Sequence, residues 1–127
     1  MDKIGNLLTS LRNAGVVNKD KISIPYSKTI IAILDVLKRE GYIKTFESKE
    51  KEYRIDIVLE YDNKNNHRIV EANRISKPGR RVYYKQSDIK KVKSGYGNVI
   101  LSTPQGIMTG KEARSKNTGG EALFEIL

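Results

Sequence analysis

The sequence predicts an α+β protein built from an N-terminal α/β domain and a mostly β, basic C-terminal domain with short helices. Three observations support this fold class. Apolar residues repeat at helical spacing twice in the first half of the chain, and a period-two repeat follows them. The second half has short apolar runs separated by glycine-containing turns. A polar run, 62–67, lies between the halves, so we predict domains over residues 1–66 and 67–127.

Two helices are predicted in the first domain. The first should run from about Asp2 to Ala14 and end at Gly15, and the second should begin after an N-cap at Ser27 and end at Gly41. The apolar stripe of the first helix comprises Ile4, Leu7, Leu8 and Leu11, and that of the second comprises Ile30, Ile31, Ile33, Leu34, Val36 and Leu37. Both stripes are expected to pack on one face of a small sheet.

That sheet is predicted from three segments. A short strand over 21–24 is closed by Pro25, and a second strand should cover 42–47. The charged run 48–52 reads as a loop. Residues 53–61 then place an apolar residue at every second position, which is typical of a half-buried antiparallel strand.

The second domain is predicted to begin with two strands, around 68–75 and 81–85, which flank a turn at Lys77-Pro78-Gly79. Ser87 is a candidate cap for one helical turn through Val92.

Further along, residues 95–97 form a predicted turn and 99–101 a buried strand. Thr109 and Glu112 have the spacing of a capping box, so a short helix should cover 111–116. A closing strand is expected where Ala122, Phe124 and Ile126 alternate with other residues.

Positive charge is concentrated in the second half. The net charge is +9, from 24 Lys and Arg against 15 Asp and Glu. Residues 73–127 hold 11 basic and 4 acidic residues (+7), whereas residues 1–72 hold 13 and 11 (+2). This asymmetry favours a polyanion-binding surface, and a simple role in solubility is the alternative.

The sequence argues against an enzyme. There is no cysteine, and His67, the single histidine, lies in the polar run between the halves, where a solvated surface residue is the usual case. No nucleophile elbow or phosphate loop occurs, and Gly95-Tyr96-Gly97 precedes a strand, whereas a dinucleotide-binding loop follows one. We therefore expect no catalytic residue, metal or cofactor. The sequence also lacks a recognisable secretory signal and a membrane-spanning apolar stretch, which together with the absence of cysteine suits a cytoplasmic protein.

Two uncharged segments within the basic half are candidates for selective contact with RNA. They are Ser102-Thr103-Pro104-Gln105-Gly106 and Gly119-Gly120-Glu121. Short hydroxyl side chains and glycines allow a backbone to approach a partner closely, and nearby cations supply attraction. The same residues are also common turn formers, and the residues alone do not decide between these roles.

A basic turn, residues 74–85, is the candidate for phosphate contact. Lys77, Arg80 and Arg81 surround a Pro-Gly bend, and Tyr83 could stack on a base or bond a ribose hydroxyl. The alternative is a solvated hairpin in which either Tyr83 or Tyr84 belongs to the core. Residues 90–93 add further positive charge.

The chain resembles the bacterial small-subunit ribosomal protein S-eight family over essentially its whole length. The resemblance is carried by Thr9, Arg12, Asn13, Ser27-Lys28, Val36 to Ile43, Arg74 to Tyr83, Gly95-Tyr96-Gly97, Leu101-Ser102-Thr103, Gly106 to Thr109, Ala113-Arg114 and Gly119-Gly120-Glu121. Pro104 departs from the family, in which many members have a serine.

The resemblance implies a structural constituent of the small ribosomal subunit that binds the central domain of 16S rRNA and organises it during assembly. It also implies that one set of residues contacts a distorted internal loop in an RNA stem. A second set makes a weaker contact with another RNA element. The first set is Ser102, Thr103, Pro104, Gly106, Gly119, Gly120, Glu121 and Tyr83, with Lys77, Arg80 and Arg81 as basic neighbours. The weaker set is Thr9, Asn13, Ser27 and Lys28.

The implied partners are 16S rRNA and neighbouring small-subunit ribosomal proteins. An alternative function is translational repression of its own operon, in which the same surface would bind a messenger RNA that mimics the ribosomal site. A third hypothesis is a protein-interaction module in the less charged N-terminal half.

Overall fold

The computed structural model describes residues 2–61, 69, 71–89 and 97–127. These residues form three α-helices and eight strands in two sheets, which confirms the predicted α+β class. The chain divides into two compact units, residues 3–70 and residues 71–127. The predicted boundary between residues 66 and 67 lies outside the described residues and stays a prediction. Within the described part of the chain, none of the helices combines the length and apolar character needed to span a membrane.

The first unit places two helices against a three-stranded antiparallel sheet of order β1-β3-β2. Its elements are α1 (Lys3–Val16), β1 (Lys21–Pro25), α2 (Lys28–Arg39), β2 (Ile43–Lys49), a 3-10 turn (Glu50–Glu52) and β3 (Arg54–Leu59). Both predicted apolar stripes are buried apart from Ile4 and Ile31, which are half-buried. The amphipathic spacing of the two helices therefore builds the core of this unit.

The ends of the two helices differ in how well the sequence predicted them. Ser27 caps α2, since its hydroxyl accepts the backbone N–H of Ile30 (3.5 Å), and Gly41 follows the helix with φ +83°. The stop at Gly15 is wrong, because α1 continues through it to Val16. Asn18 takes the left-handed conformation there (φ +54°), as asparagine can with its short polar side chain.

The hairpin between β2 and β3 is longer on one side than predicted. Strand β2 continues to Lys49, so only part of the predicted loop 48–52 lies outside a strand. Tyr53 does not begin β3; it has a left-handed backbone (φ +55°) and an exposed side chain. Ile55, Ile57 and Leu59 are buried as their alternation predicts.

The second unit is a five-stranded antiparallel sheet of order β4-β8-β6-β7, in which β5 also pairs with β8. Its elements are β4 (Ala72–Arg74), β5 (Tyr83–Tyr84), a 3-10 turn (Gln86–Asp88), β6 (Asn98–Thr103), β7 (Gly106–Thr109), α3 (Gly110–Ser115) and β8 (Gly120–Ile126). Strand β8 pairs with β6 along one edge and with β4 and then β5 along the other. It is therefore the central element of the unit.

Packing on one face of this sheet explains the short helix. A buried apolar cluster comprises Ile89, Val99, Leu101, Met108, Ala113 and Ala122. The capping box at the start of α3 is confirmed, because the Glu112 N–H donates to the Thr109 hydroxyl (3.2 Å) and the Thr109 N–H donates to the Glu112 carboxylate (3.3 Å). This capped helix holds Ala113 against the cluster.

Several predictions in this unit need correction or fall outside the described residues. Ser87 caps no helix, because the turn over Gln86–Asp88 follows Lys85. Among the described residues of the strands predicted around 68–75 and 81–85, the strand conformation covers 72–74 and 83–84. His67, residues 90–93 and the first two residues of the 95–97 turn lie outside the described residues.

Candidate nucleic-acid interface

The segment from Ser102 to Gly106 is a tight β-hairpin, which the sequence analysis did not predict. Ser102 and Thr103 end β6, Gly106 begins β7, and Thr103 pairs with Gly106 in the ladder. Only Pro104 and Gln105 form the turn, and both are exposed. A Pro-x-Gly turn between two apolar runs is a hairpin signal, so the sequence did carry the information.

The Thr103 hydroxyl is used inside this hairpin. It donates to the Gly106 carbonyl (2.8 Å) and accepts the Gln105 N–H (3.1 Å). The hydroxyl proton is therefore already used in a hydrogen bond, and one lone pair of the oxygen remains to accept a hydrogen bond from a partner. Thr103 stabilises the turn at least as directly as it could bind RNA.

Ser102 differs from its neighbour in both direction and hydrogen bonding. It lies opposite Glu121 across β6 and β8, and Glu121 lies opposite Tyr83 across β8 and β5. Directly opposed residues of antiparallel strands share a face, so these three side chains form a row, which we call the selection row. Thr103 is on the other face, where its hydroxyl lies 3.9 Å from the Met108 sulfur. Within the described residues, the Ser102 hydroxyl makes no hydrogen bond.

An arginine side chain lies beside the selection row and forms an ion pair with it. An Arg81 guanidinium nitrogen lies 3.1 Å from a Glu121 carboxylate oxygen, and the Arg81 side chain is 52% exposed. Tyr83 is 69% exposed, whereas Tyr84 is half-buried and packs against the apolar cluster of the sheet. One tyrosine of the pair thus belongs to the core and the other is available to a partner.

Ser76 anchors the basic turn, and the sequence reasoning missed it. Its side chain is buried, and its hydroxyl accepts the Val82 N–H (2.9 Å) and donates to the Val82 carbonyl (3.3 Å). Lys77 and Arg80 exchange backbone hydrogen bonds of 3.0 and 2.9 Å, and Gly79 has φ +84°. The turn between β4 and β5 is therefore closed at its base, with Lys77, Arg80 and Arg81 exposed.

The two glycines before Glu121 have a packing role. A Cβ atom on Gly120 would lie 2.2 Å from the Ser102 carbonyl oxygen and 3.0 Å from the Thr103 Cα. A Cβ atom on Gly119 would lie 2.2 Å from the Tyr84 carbonyl oxygen. Glycine is needed at both positions because backbone occupies the space a side chain would take, and this close approach brings β5, β8 and β6 together at the selection row.

The weaker candidates all lie in the first unit. Thr9 and Asn13 are exposed one helical turn apart on α1, and Lys28 is exposed at the start of α2. Ser27 is buried and its hydroxyl caps α2, so its side chain already has a structural role. These residues are not part of the selection row.

A second polar cluster covers the sheet of the first unit. The Asp56 carboxylate accepts the Ser23 hydroxyl (2.6 Å) and contacts Lys49 (3.4 Å) and Arg54 (3.2 Å). The Ser23 hydrogen bond, aided by Lys49 and Arg54, lowers the pKa of Asp56 below its ordinary value of 3.8, although partial burial acts in the opposite direction. The Asp56 carboxylate is thus compensated within the fold, so the cluster is structural, although the buried Arg54 Nε makes an ion pair without a hydrogen bond.

Comparison with known proteins gives matches over the whole chain. A family model described as ribosomal protein S8 matches residues 2–127. The small ribosomal subunit protein uS8 of Helicobacter pylori (strain Shi470) is 40% identical over 127 residues, covering 98% of this chain and 97% of the relative. The protein of the same name from Borreliella afzelii (strain PKo) is 42% identical over 125 residues, covering 97% and 95%.

Proposed function

The chain belongs to the ribosomal protein S8 family, and on that premise we propose that it binds the central domain of 16S rRNA and organises that domain during assembly of the small subunit. Membership makes it a protein of the small ribosomal subunit, a cytoplasmic particle, and the family is structural and not enzymatic. The specific RNA region and the residues that contact it are the proposal.

The observation that carries the proposal is the selection row with its basic surroundings. Tyr83, Glu121 and Ser102 stand on three adjacent strands, so the row spans about 10 Å at the usual strand spacing. It combines an exposed aromatic ring, a carboxylate and a hydroxyl that has no hydrogen-bond partner among the described residues. Those groups suit an unpaired nucleotide, which offers a ring face, amino groups and a ribose hydroxyl.

The basic residues around the row supply attraction with little sequence preference. Arg81 is half-exposed, and an exposed ion pair such as Arg81–Glu121 contributes at most about 1 kcal/mol. Arg81 can therefore turn to a phosphate at little cost, which leaves the Glu121 carboxylate to accept a hydrogen bond from a base amino group or a ribose hydroxyl. Lys77 and Arg80 extend the same attraction from the anchored turn.

The hairpin tip and the glycines complete the proposed contact. Pro104 and Gly106 are exposed and let the RNA backbone approach the end of β6, while Gly119 and Gly120 hold the strands close enough to form the row. Thr103 accepts a hydrogen bond through its remaining lone pair. In the first unit, Thr9, Asn13, Ser27 and Lys28 make the second, weaker contact.

The proposal is tested by binding of the full chain to the isolated central-domain stem and to a random duplex of equal length. We expect preference for the stem, with log affinity falling against log salt at a slope on the order of −4 if about five phosphates are neutralised. Arg81→Ala should weaken binding to both RNAs, with Lys111→Ala as the control for loss of an exposed cation. Equal affinity of the unaltered protein for the stem and the duplex would overturn the proposal.

The repressor hypothesis uses the same contacts, so it is separated by competition. If the chain also represses its own operon, the messenger RNA site should displace the ribosomal stem and should depend equally on Ser102. A messenger RNA that does not compete would remove this function without affecting the ribosomal one.

A further inference from the structure

Tyr53, at the tip of the hairpin between β2 and β3, has a conformation and exposure that packing does not explain. Its side chain is 79% exposed, the highest value among the exposed large hydrophobic residues of the described chain. Its backbone is left-handed, with φ +55°. Of the three described non-glycine residues with positive φ, the other two, Asn18 and Asn117, are asparagines, which tolerate this region well. A bulky tyrosine is unfavourable in this backbone region, and residues held in such conformations cluster at functional sites.

The tip lies beside one of the weaker candidate contacts. The Tyr26 N–H donates to the Tyr53 carbonyl (2.9 Å), and Tyr26 is followed immediately by Ser27 and Lys28 at the start of α2. The exposed tyrosine and the exposed Lys28 therefore belong to one corner of the first unit. The sequence reasoning assigned Tyr53 to a strand and missed this neighbourhood.

The cations of this corner differ in their availability. Arg54 is engaged by Glu52 (3.0 Å) and Asp56 (3.2 Å). Within the described residues, Lys28 and Lys51 take part in no ion pair, and both are exposed. Glu50 is the remaining acidic residue of the tip. The corner thus offers an aromatic ring and two free ammonium groups, which is the composition that binds single-stranded RNA through stacking and phosphate contact.

We propose that Tyr53 stacks on an unpaired base of the ribosomal RNA, with Lys28 and Lys51 on the adjacent phosphates. This inference rests on the proposed function, because it gives the second, weaker contact its own base-binding residue. Tyr83 and Tyr53, the exposed tyrosines among the described residues, would then each present a ring to an unpaired nucleotide, one from each unit.

Tyr53→Asn is the decisive variant, because asparagine accepts the left-handed backbone and lacks the ring. We expect it to weaken binding of the full chain to intact 16S rRNA by about 5- to 150-fold, the range for loss of one stacked base. Binding to the isolated central-domain stem should not change. Tyr53→Phe keeps the ring and should bind intact RNA as the unaltered protein does. Val17→Asn, which removes another exposed apolar side chain from this unit, is the matched control.

Chemical probing of the RNA gives a second readout. The unaltered protein should protect a base outside the central-domain stem, and Tyr53→Asn should expose that base alone. Lys28→Ala and Lys51→Ala should each reduce the salt slope on intact RNA by about 0.8, whereas Lys44→Ala should not.

The outcomes separate the two proposals. Unchanged affinity and protection in Tyr53→Asn would overturn the role of Tyr53 while leaving selection by Ser102 intact. Loss of a neighbouring protein from assembled particles, with RNA binding unchanged, would identify the corner as a protein contact and would also overturn it. If the unaltered protein does not prefer the stem over random duplex, the proposed function itself fails.

Discussion

The polar residues of the two sheets are arranged in opposite ways. On the sheet of the first unit, Asp56 is surrounded by Ser23, Lys49 and Arg54, so its charge is compensated within the fold. At the end of the second sheet, the Ser102 hydroxyl has no partner among the described residues, and Glu121 shares its charge with an arginine that is half-exposed. The Asp56 carboxylate is compensated internally, whereas the Ser102 hydroxyl is left available.

This difference in hydrogen bonding distinguishes the two regions, and their charge does not. Both regions contain basic and acidic residues, so a count of charges does not distinguish them. A polar group that is already hydrogen-bonded in the protein gains little from a new partner, whereas one without a protein partner gains about 0.5–1.5 kcal/mol net. Hydrogen-bond satisfaction therefore identifies the selection row more sharply than the net charge of +9 does.

The largest effect is expected from Gly120→Ala, which tests whether close strand approach builds the selection row. The added Cβ would overlap the Ser102 carbonyl oxygen at 2.2 Å, and backbone cannot move aside as a flexible side chain does. We expect a loss of about 3 kcal/mol in unfolding free energy, measured by urea denaturation, together with loss of stem binding. Gly41→Ala, in the first unit and outside the proposed contact, is the control, because a Cβ there meets nothing within 4 Å and only the positive φ (+83°) is unfavourable, at about 1–2 kcal/mol. Equal losses would contradict the packing role of Gly120.

Ser102→Ala isolates the unpaired hydroxyl. We expect it to cost about 1–3 kcal/mol in binding to the cognate stem, with no change on random duplex and no change in unfolding free energy. Ser115→Ala, at an exposed position of α3, should change neither binding nor stability. Equal weakening on both RNAs would remove Ser102 from selection and leave it as a general contact.

Thr103→Ala should act first on stability. It removes a hydroxyl that donates to the Gly106 carbonyl and accepts from the Gln105 N–H. We therefore expect the unfolding free energy to fall by about 1 kcal/mol and the affinity for the stem to decrease. Thr103→Ser keeps the hydroxyl and should restore most of both. Weakened RNA binding with unfolding free energy unchanged would mean that the hydroxyl binds RNA directly and the turn does not need it.

The smallest effect concerns Asp56 and pH. Its pKa is lowered in the folded protein, so it contributes stability above the pKa of the unfolded chain and loses it as pH falls through the folded value. Ser23→Ala removes the largest cause of the shift, so carbon NMR of the Asp56 carboxyl should report a higher pKa, and the part of the unfolding free energy that is lost on acidification should be smaller. Binding to the stem at neutral pH should not change, and a change would contradict the structural role of this cluster.

Local signals in the sequence predicted the framework of the fold well. The helix stripes, the caps at Ser27 and Thr109 and the turn at Pro78-Gly79 each depend on interactions within a few residues. The errors arose where one local sequence signal was overridden by another or imitated a different structure. Gly15 did not end α1 because Asn18 provided the left-handed residue instead, and Tyr53 was read as a strand residue because its spacing matched the alternation of β3.

The sequence by itself determined the α+β class, the concentration of positive charge in the second half, and the family to which the chain belongs. Only the tertiary structure decided that Ser102, Glu121 and Tyr83 form one row while Thr103 faces the other way. The reason is that strand register joins residues far apart in the chain, through hydrogen bonds that no short segment encodes. The same long-range pairing explains why Gly119 and Gly120, which read as ordinary turn residues, are places where strands come too close for a side chain.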